Sequence, residues 1–254
     1  MLNTTGNNWL PKNISSTKAG WILDVTKPQA HDFVKQLLDE FIPLFDAPYF
    51  HIGGDEWQYD DQKLKCPELV LATKKQGYKY PGDLYVAWIN EIDKQVKSYG
   101  KTTQIWSWWN YSPSPEKQNV TSIAPSKDIV VNVWNKETQN IILADGYHVV
   151  STFEDGPEAL YITPGLKGKA PGDYGYFDSK SIYESWSPIV TSQFSGYKVC
   201  LWADGAENQP DEWFNQFYET PLKVFADKIW GKKSVESLDT LISNSEKIGG
   251  APAP

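Results

Sequence analysis

From residue 21 onward the chain alternates between a helical and a strand-like hydrophobic pattern. Phe33, Leu37, Leu38, Phe41 and Leu44 recur at helical spacing after Thr26 and Pro28, residues suited to a helix start. Tyr49-Phe50-His51-Ile52 is a short apolar run that predicts a buried strand ending at Gly53-Gly54. A stretch rich in Gln, Lys and Gly, about 58–82, predicts a loop. Asp83 then caps a second helix with Leu84, Trp88, Ile89, Ile92 and Val96 on one face and Gly100 as its stop. Further strands are predicted at Thr103–Trp106, Ile129–Trp134, His148–Ser151 and Lys198–Trp202, with a short helix over about 137–144. Helices close the chain at about 211–230 and 234–246, the first expected to break at Pro221.

Short apolar strands alternating with helices imply βαβ units and a parallel sheet. Each strand leads into a loop carrying polar or aromatic residues, the pattern of a TIM-type (β/α)8 barrel with its site at the C-terminal strand ends. Five strand candidates fall short of eight, so the expectation is an incomplete barrel: the last five βα units, with the first three absent. An open arc of this kind exposes parallel edges that favour association. Residues 1–20 read as an N-terminal loop segment, 21–246 as the partial barrel and 247–254 as a flexible tail.

Composition narrows the function. With 24 Lys plus Arg against 32 Asp plus Glu, the net charge of −8 and the absence of a basic run argue against nucleic acid. No apolar run approaches the ~20 residues that span a membrane. The opening MLNTTGNNWLPKN carries neither the basic start nor the apolar stretch of a signal peptide. Sequons at Asn3, Asn13, Asn110 and Asn119 hint at secretion. Cys66 and Cys200 spell out no disulfide framework or zinc cluster and leave their own pairing open. The 12 Trp and 14 Tyr suit either an aromatic core or a sugar site, where flat rings meet the C–H faces of pyranoses.

The segment richest in chemistry is His51-Ile52-Gly53-Gly54-Asp55-Glu56-Trp57. Its adjacent carboxylates follow a strand end and a Gly pair that allows close backbone approach. Neighbouring residues leaving a strand point to different sides, so the two acids can meet different parts of one ligand. Like charges this close push their pKa values apart, as an acid and an anion working together require. A solvated Asp-Glu pair is the bland alternative. A metal hydrolase built on His51, Asp55 and Glu56 is weak, because these residues lack the spacing of a helical His pair of ligands.

HIGGDE, with the lead-in LDVTKPQAHDFVKQLLDEFIPLFDAPYF, resembles the signature of glycoside hydrolase family 20, the β-N-acetylhexosaminidases and their relatives. The resemblance runs to about residue 230 and implies retaining hydrolysis of β-linked N-acetylhexosaminides with no cofactor and no metal. It implies that Glu56 is the general acid and that Asp55 holds and polarises the substrate's own 2-acetamido group, whose carbonyl oxygen attacks the anomeric carbon. Tyr161 resembles the tyrosine that donates to the acetamido oxygen, and Trp106, Trp134 and Trp202 match tryptophans that wall the acetamido pocket. His51 is given no catalytic role.

Two positions depart from the pattern. Thr163 stands where many family members have the Asp of Tyr-Leu-Asp, and Asp204 where they have the Glu of Trp-x-Glu. Those acids grip the outer hydroxyls of a terminal sugar, so their replacement makes room for a further sugar. Lacto-N-biosidase-like release of a disaccharide, dispersin-like action on a polymer and simple exo-hexosaminidase activity all stay open. The partner expected is an oligosaccharide or glycoconjugate carrying β-linked N-acetylhexosamine, in a secreted or extracellular setting. The absent N-terminal units would carry a sugar-binding Arg, so a carbohydrate-binding fragment without turnover is the alternative.

Overall fold

The computed structural model describes residues 23–55, 67–107, 121–231 and 237–249. The chain divides into two compact units, one from Met1–Asn132 with Asn140–His148, the other from Val133–Gln139 with Val149–Pro254.

In the first unit, helix α1 (Pro28–Phe41) passes through a 3₁₀ turn (Ile42–Leu44) into strand β1 (Tyr49–His51). Pro28 opens α1 without a side-chain cap, and Thr26 is engaged elsewhere, its N–H and hydroxyl both donating to Asp24 Oδ1. Helix α2 (Pro67–Lys75) lies inside the segment expected to be loop. It buries only Leu69 and Thr73, too short a stripe to show a period; its signals are terminal, with Pro67 first, Glu68 in the first turn and Lys74 and Lys75 in the last.

Helix α3 (Pro81–Ser98) buries the face read from sequence, Leu84, Trp88, Ile89, Ile92 and Val96. It starts before Asp83, which is therefore not the cap residue. From the third helical position its carboxylate reaches back to accept the N–H groups of Tyr80 (2.9 Å) and Lys79 (3.1 Å). It also accepts the Ser122 N–H (2.5 Å), the Ser122 hydroxyl (2.7 Å) and the Ile123 N–H (3.3 Å). Burial pushes this carboxyl up, but the donors outweigh it and hold the group below the usual carboxylate range.

Strand β2 (Thr102–Trp106) runs parallel to β1 and to β3 (Val130–Val133), with Phe50 opposite Thr103 and Ile105 opposite Val131. β3 is buried throughout. β1 is not the buried strand its sequence predicts: among the described residues it pairs only with β2, and Tyr49 is exposed. Helix α4 (Lys136–Ala144) and strand β4 (His148–Ser151) follow where sequence put them.

In the second unit, β4 pairs in parallel with β6 (Phe194–Tyr197), and β5 (Tyr161–Ile162) pairs in parallel with β7 (Cys200–Leu201). Sequence predicts neither β5 nor β6. A two-residue strand has no visible alternation, and β6 contains Gly196 (φ 143°) opposite a register shift at Val149/Val150. Helices α5 (Ser179–Ser185), α6 (Asp211–Trp230) and α7 (Leu238–Ile248) complete the unit. Its core is Leu160, Ile182, Tyr183, Trp186 and Val224, flanked by Phe225, Ile229, Leu238 and Leu241.

α6 runs unbroken through Pro221, against the expectation of a break. An interior proline costs ~3 kcal/mol; the apolar face formed by Val224, Phe225 and Ile229 offsets a cost of that size. Every strand pair among the described residues is parallel, seven strands against the five expected, and the α/β architecture fits a TIM-type fold.

Removing the buried Asp83 carboxylate leaves four part-buried N–H groups and the Ser122 hydroxyl without their acceptor. Asp83→Ala lowers unfolding stability by about 2–4 kcal/mol in denaturant titration; a change within experimental error shows that the Ser122 segment is held by other contacts.

Candidate active site

Backbone pairing continues past the C-terminal ends of the strands, and these extensions carry the candidate residues. In the first unit the Ile52 N–H donates to the Gln104 carbonyl (3.0 Å), Trp106 to Gly53 (2.9 Å) and Ser107 to Asn132 (2.9 Å). Gly53 (φ 76°) and Gly54 (φ 95°) then turn the chain through the left-handed region, where a side chain is strained. His51 secures this turn: its Nδ1 accepts the Gly53 N–H (3.0 Å) and its ring lies 5.0 Å from Trp106, edge to face.

Asp55 emerges from the turn half-buried. Burial pushes its carboxyl above the usual range, only partly countered by its own backbone N–H. Tyr85 on α3 is pushed up by burial first and then by the negative charge of Asp55. Its ring meets Trp88 (5.9 Å), which stacks on His31 (4.8 Å). Glu56 and Cys66 lie outside the described residues, as do the four sequon asparagines. Cys200 is a thiol, 3.3 Å from the Thr152 hydroxyl.

In the second unit the Thr152 N–H donates to the Val133 carbonyl (2.9 Å) and Glu154 to Trp134 (2.8 Å). Cys200 donates to Leu160 (3.0 Å) and Trp202 to Ile162 (2.9 Å). Trp134 and Trp202 therefore both sit just beyond strand ends. Tyr161, 3% exposed, lies 5.6 Å from Trp202 and 5.9 Å from Tyr174. Thr163 is buried; its N–H (3.1 Å) and its hydroxyl (3.4 Å) both donate to the Gly175 carbonyl. Asp204 is exposed, and its backbone packs so closely on Gly165 that a Cβ there would lie 2.3 Å from the Asp204 carbonyl oxygen.

The structure thus groups Asp55 with Trp106 in the first unit, and Trp134, Tyr161, Thr163, Trp202 and Asp204 in the second. It adds residues that sequence reasoning missed. Tyr174 packs on Tyr161, and the Lys169 ammonium lies 4.5 Å over the Tyr174 ring. Burial lowers the Lys169 pKa, although Asp173 and Asp204 pull it up. Glu154 is half-buried, and burial, with Asp155 beside it, pushes its carboxyl up to about 6. One signal was available for Glu154: it follows β4 as Asp55 follows β1, just past a strand end.

In each unit, parallel strands with carboxyl and aromatic groups beyond their C-terminal ends fit an α/β fold of the TIM type, in which those ends carry the site. Residues 3–232 match glycosyl hydrolase family 20, catalytic domain, and the chain belongs to that family. It is 33% identical over 238 residues to a lacto-N-biosidase of Bifidobacterium bifidum, covering 89% of this chain and 20% of the relative. It is 31% identical over 231 residues to β-hexosaminidase subunit A1 of Dictyostelium discoideum, covering 85% of this chain and 38% of the relative. The chain thus spans a fifth to two fifths of the length of these relatives. Its fold is similar to that of the exo-β-N-acetylglucosaminidase of Vibrio harveyi in complex with N-acetylglucosamine (TM-score 0.66, 21% identity, 87% of this chain and 34% of that one). It is also similar to dispersin B (TM-score 0.57, 18% identity, 85% and 63%).

Two outcomes test this geometry. At Gly175 (φ 69°) a Cβ would lie 2.1 Å from the buried Thr163 hydroxyl. Gly175→Ala therefore destabilises the protein by about 2–3 kcal/mol in denaturant titration. Because the Glu154 pKa is raised from 4.5 to about 6, its stabilising contribution is complete below 4.5 and is lost as pH rises through about 6. Glu154→Gln removes that dependence, so its melting temperature gains on the wild type between pH 4.5 and 7; parallel pH profiles count against the shift.

Proposed function

We propose that this chain carries the catalytic centre of a retaining glycoside hydrolase that cleaves β-linked N-acetylhexosaminides through the substrate's own 2-acetamido group. The observation that carries this reading is Asp55: a desolvated carboxyl, pushed above its usual range, fixed beyond β1 by the Gly53-Gly54 turn and followed directly by Glu56. Family membership supports it, as do relatives named lacto-N-biosidase and β-hexosaminidase.

Glu56 protonates the glycosidic oxygen as the bond to the anomeric carbon breaks. The acetamido carbonyl oxygen forms the new bond to that carbon, giving an oxazolinium ion, while Asp55 holds the amide N–H and stabilises the positive charge. Tyr161 donates to the acetamido oxygen, and Trp106, Trp134 and Trp202 enclose the acetamido group. Glu56 then takes a proton from water, which opens the ring of the intermediate with retention. A desolvated Asp55 suits this part, because its charge acts most strongly where water is excluded.

Thr163 and Asp204 bear on substrate size. Thr163 turns its hydroxyl to the Gly175 carbonyl, so it offers a bound sugar no carboxylate. This favours a pocket with room for a second sugar, and thus disaccharide release in the manner named for the Bifidobacterium relative. Such glycans lie outside cells, in keeping with a secreted protein. No helix among the described residues is long and apolar enough to cross a membrane.

Release of p-nitrophenol from its β-N-acetylglucosaminide and its β-lacto-N-bioside checks the reading. Glu56→Gln is expected to lower kcat by ~10²–10⁴-fold, and the lacto-N-bioside is expected to be the better substrate. A folded wild-type protein that turns over neither glycoside overturns the enzymatic reading.

A further inference from the structure

We propose that Glu154 is a specificity-determining residue whose carboxylate accepts hydrogen bonds from hydroxyl groups of the bound glycan, the task that Thr163 does not perform. The inference rests on the glycosidase reading above, and it names a residue that the HIGGDE, Tyr-Leu-Asp and Trp-x-Glu motifs do not contain.

Position is the first argument. Glu154 is held on both sides by backbone pairing: its N–H donates to the Trp134 carbonyl (2.8 Å), and its carbonyl accepts the Gly175 N–H (2.7 Å). The Gly156 N–H continues the second pairing to the Gly172 carbonyl (3.0 Å). Residue 154 is therefore fixed between the strand end that bears Trp134 and the loop that bears Tyr174 and anchors Thr163. Tyr174 packs on Tyr161, and Tyr161 on Trp202, so the aromatic cluster begins on the neighbouring loop. Flat rings beside a carboxylate suit a pyranose, which offers C–H faces to the rings and hydroxyl donors to the oxygens.

The second argument is hydrogen bonding. The Glu154 side chain is half-buried, yet among the described residues none donates to its carboxylate. The charged groups on the elements packed around it are engaged elsewhere or are acids. Lys136 pairs with Glu158 (3.4 Å), Lys169 lies over Tyr174, and Asp155 repels it. A carboxylate partly removed from water without a protein donor is unfavourable for folding, a cost kept at sites where a ligand supplies the donors. Its pKa of about 6 follows from the same burial and makes the anionic acceptor available above that pH. Adjacent ring hydroxyls are neutral donors spaced to meet both carboxylate oxygens.

Kinetics on p-nitrophenyl β-lacto-N-bioside test the assignment, with lacto-N-biose binding by calorimetry as a readout that needs no turnover. Glu154→Gln is expected to raise KM about tenfold, the loss of a charge-assisted bond, with kcat within about twofold of wild type. Wild-type KM should rise as pH falls through about 6 while that of the variant stays flat, a change that a merely structural role would not produce. Wild-type KM and pH profile in both Glu154→Gln and Glu154→Ala overturn the assignment. If the wild type binds lacto-N-biose without turnover and Glu154→Gln weakens that binding, the glycosidase reading fails and the assignment stands. If folded wild type neither binds nor cleaves, both fall.

Discussion

Parallel backbone pairing is the constraint on which the rest of this structure depends. Within each unit the strands run the same way, so their carboxyl ends fall on one edge. The ladder extends a few residues beyond them, through Trp106 to Gly53, Glu154 to Trp134 and Trp202 to Ile162. These are the last positions fixed by pairing before the chain becomes loop. A side chain placed there is held by the sheet and still open to a ligand. Residues further along a loop lose the first property, and residues inside the strand lose the second. Trp106, Trp134, Glu154 and Trp202 all occupy this narrow zone, and Asp55 follows two residues after the last paired position of its strand, Gly53.

Desolvation does the electrostatic work in that zone. Asp55, Glu154 and Tyr85 are pushed up by burial and Lys169 is pushed down, each toward its neutral form. Asp83 shows the contrast. It is more deeply buried, yet its donors outweigh the burial and keep it anionic. The same carboxyl chemistry is thus held anionic where several donors meet it and pushed toward neutrality where burial dominates. The family's substrate-assisted scheme fits such a site, because the substrate brings the nucleophile and the protein needs only to place polar groups in a dry setting.

The site also joins conserving and altering features of its sequence pattern in physical terms. Gly53 and Gly54 hold a left-handed turn that delivers Asp55, and no bulkier residue would adopt it without strain. Thr163 has turned inward onto Gly175, and Asp204 stays exposed beside Gly165. The second unit therefore departs from the pattern at two points, while the Gly53-Gly54 turn of the first keeps it.

How much was legible follows from the range of each signal. The amphipathic face of α3, the strands β2 to β4 and the Gly53-Gly54 turn are local, since periodicity and turn chemistry lie in neighbouring residues. Other features were not local. β5 and β6 are too short or too irregular to show alternation, and α2 has only a two-residue buried stripe. β1 carries an apolar sequence but has one strand neighbour among the described residues, and α6 continues through Pro221 where Val224, Phe225 and Ile229 pack on the core of the second unit. Glu154 has one local signal, its place just past β4, but a lone glutamate there is ordinary, and its pairing to Trp134 and Gly175 is visible only in the fold. The sequence by itself determined the parallel α/β class and the family. Tertiary structure decided burial, and burial, which no local pattern records, sets the electrostatics of Asp55, Asp83 and Glu154.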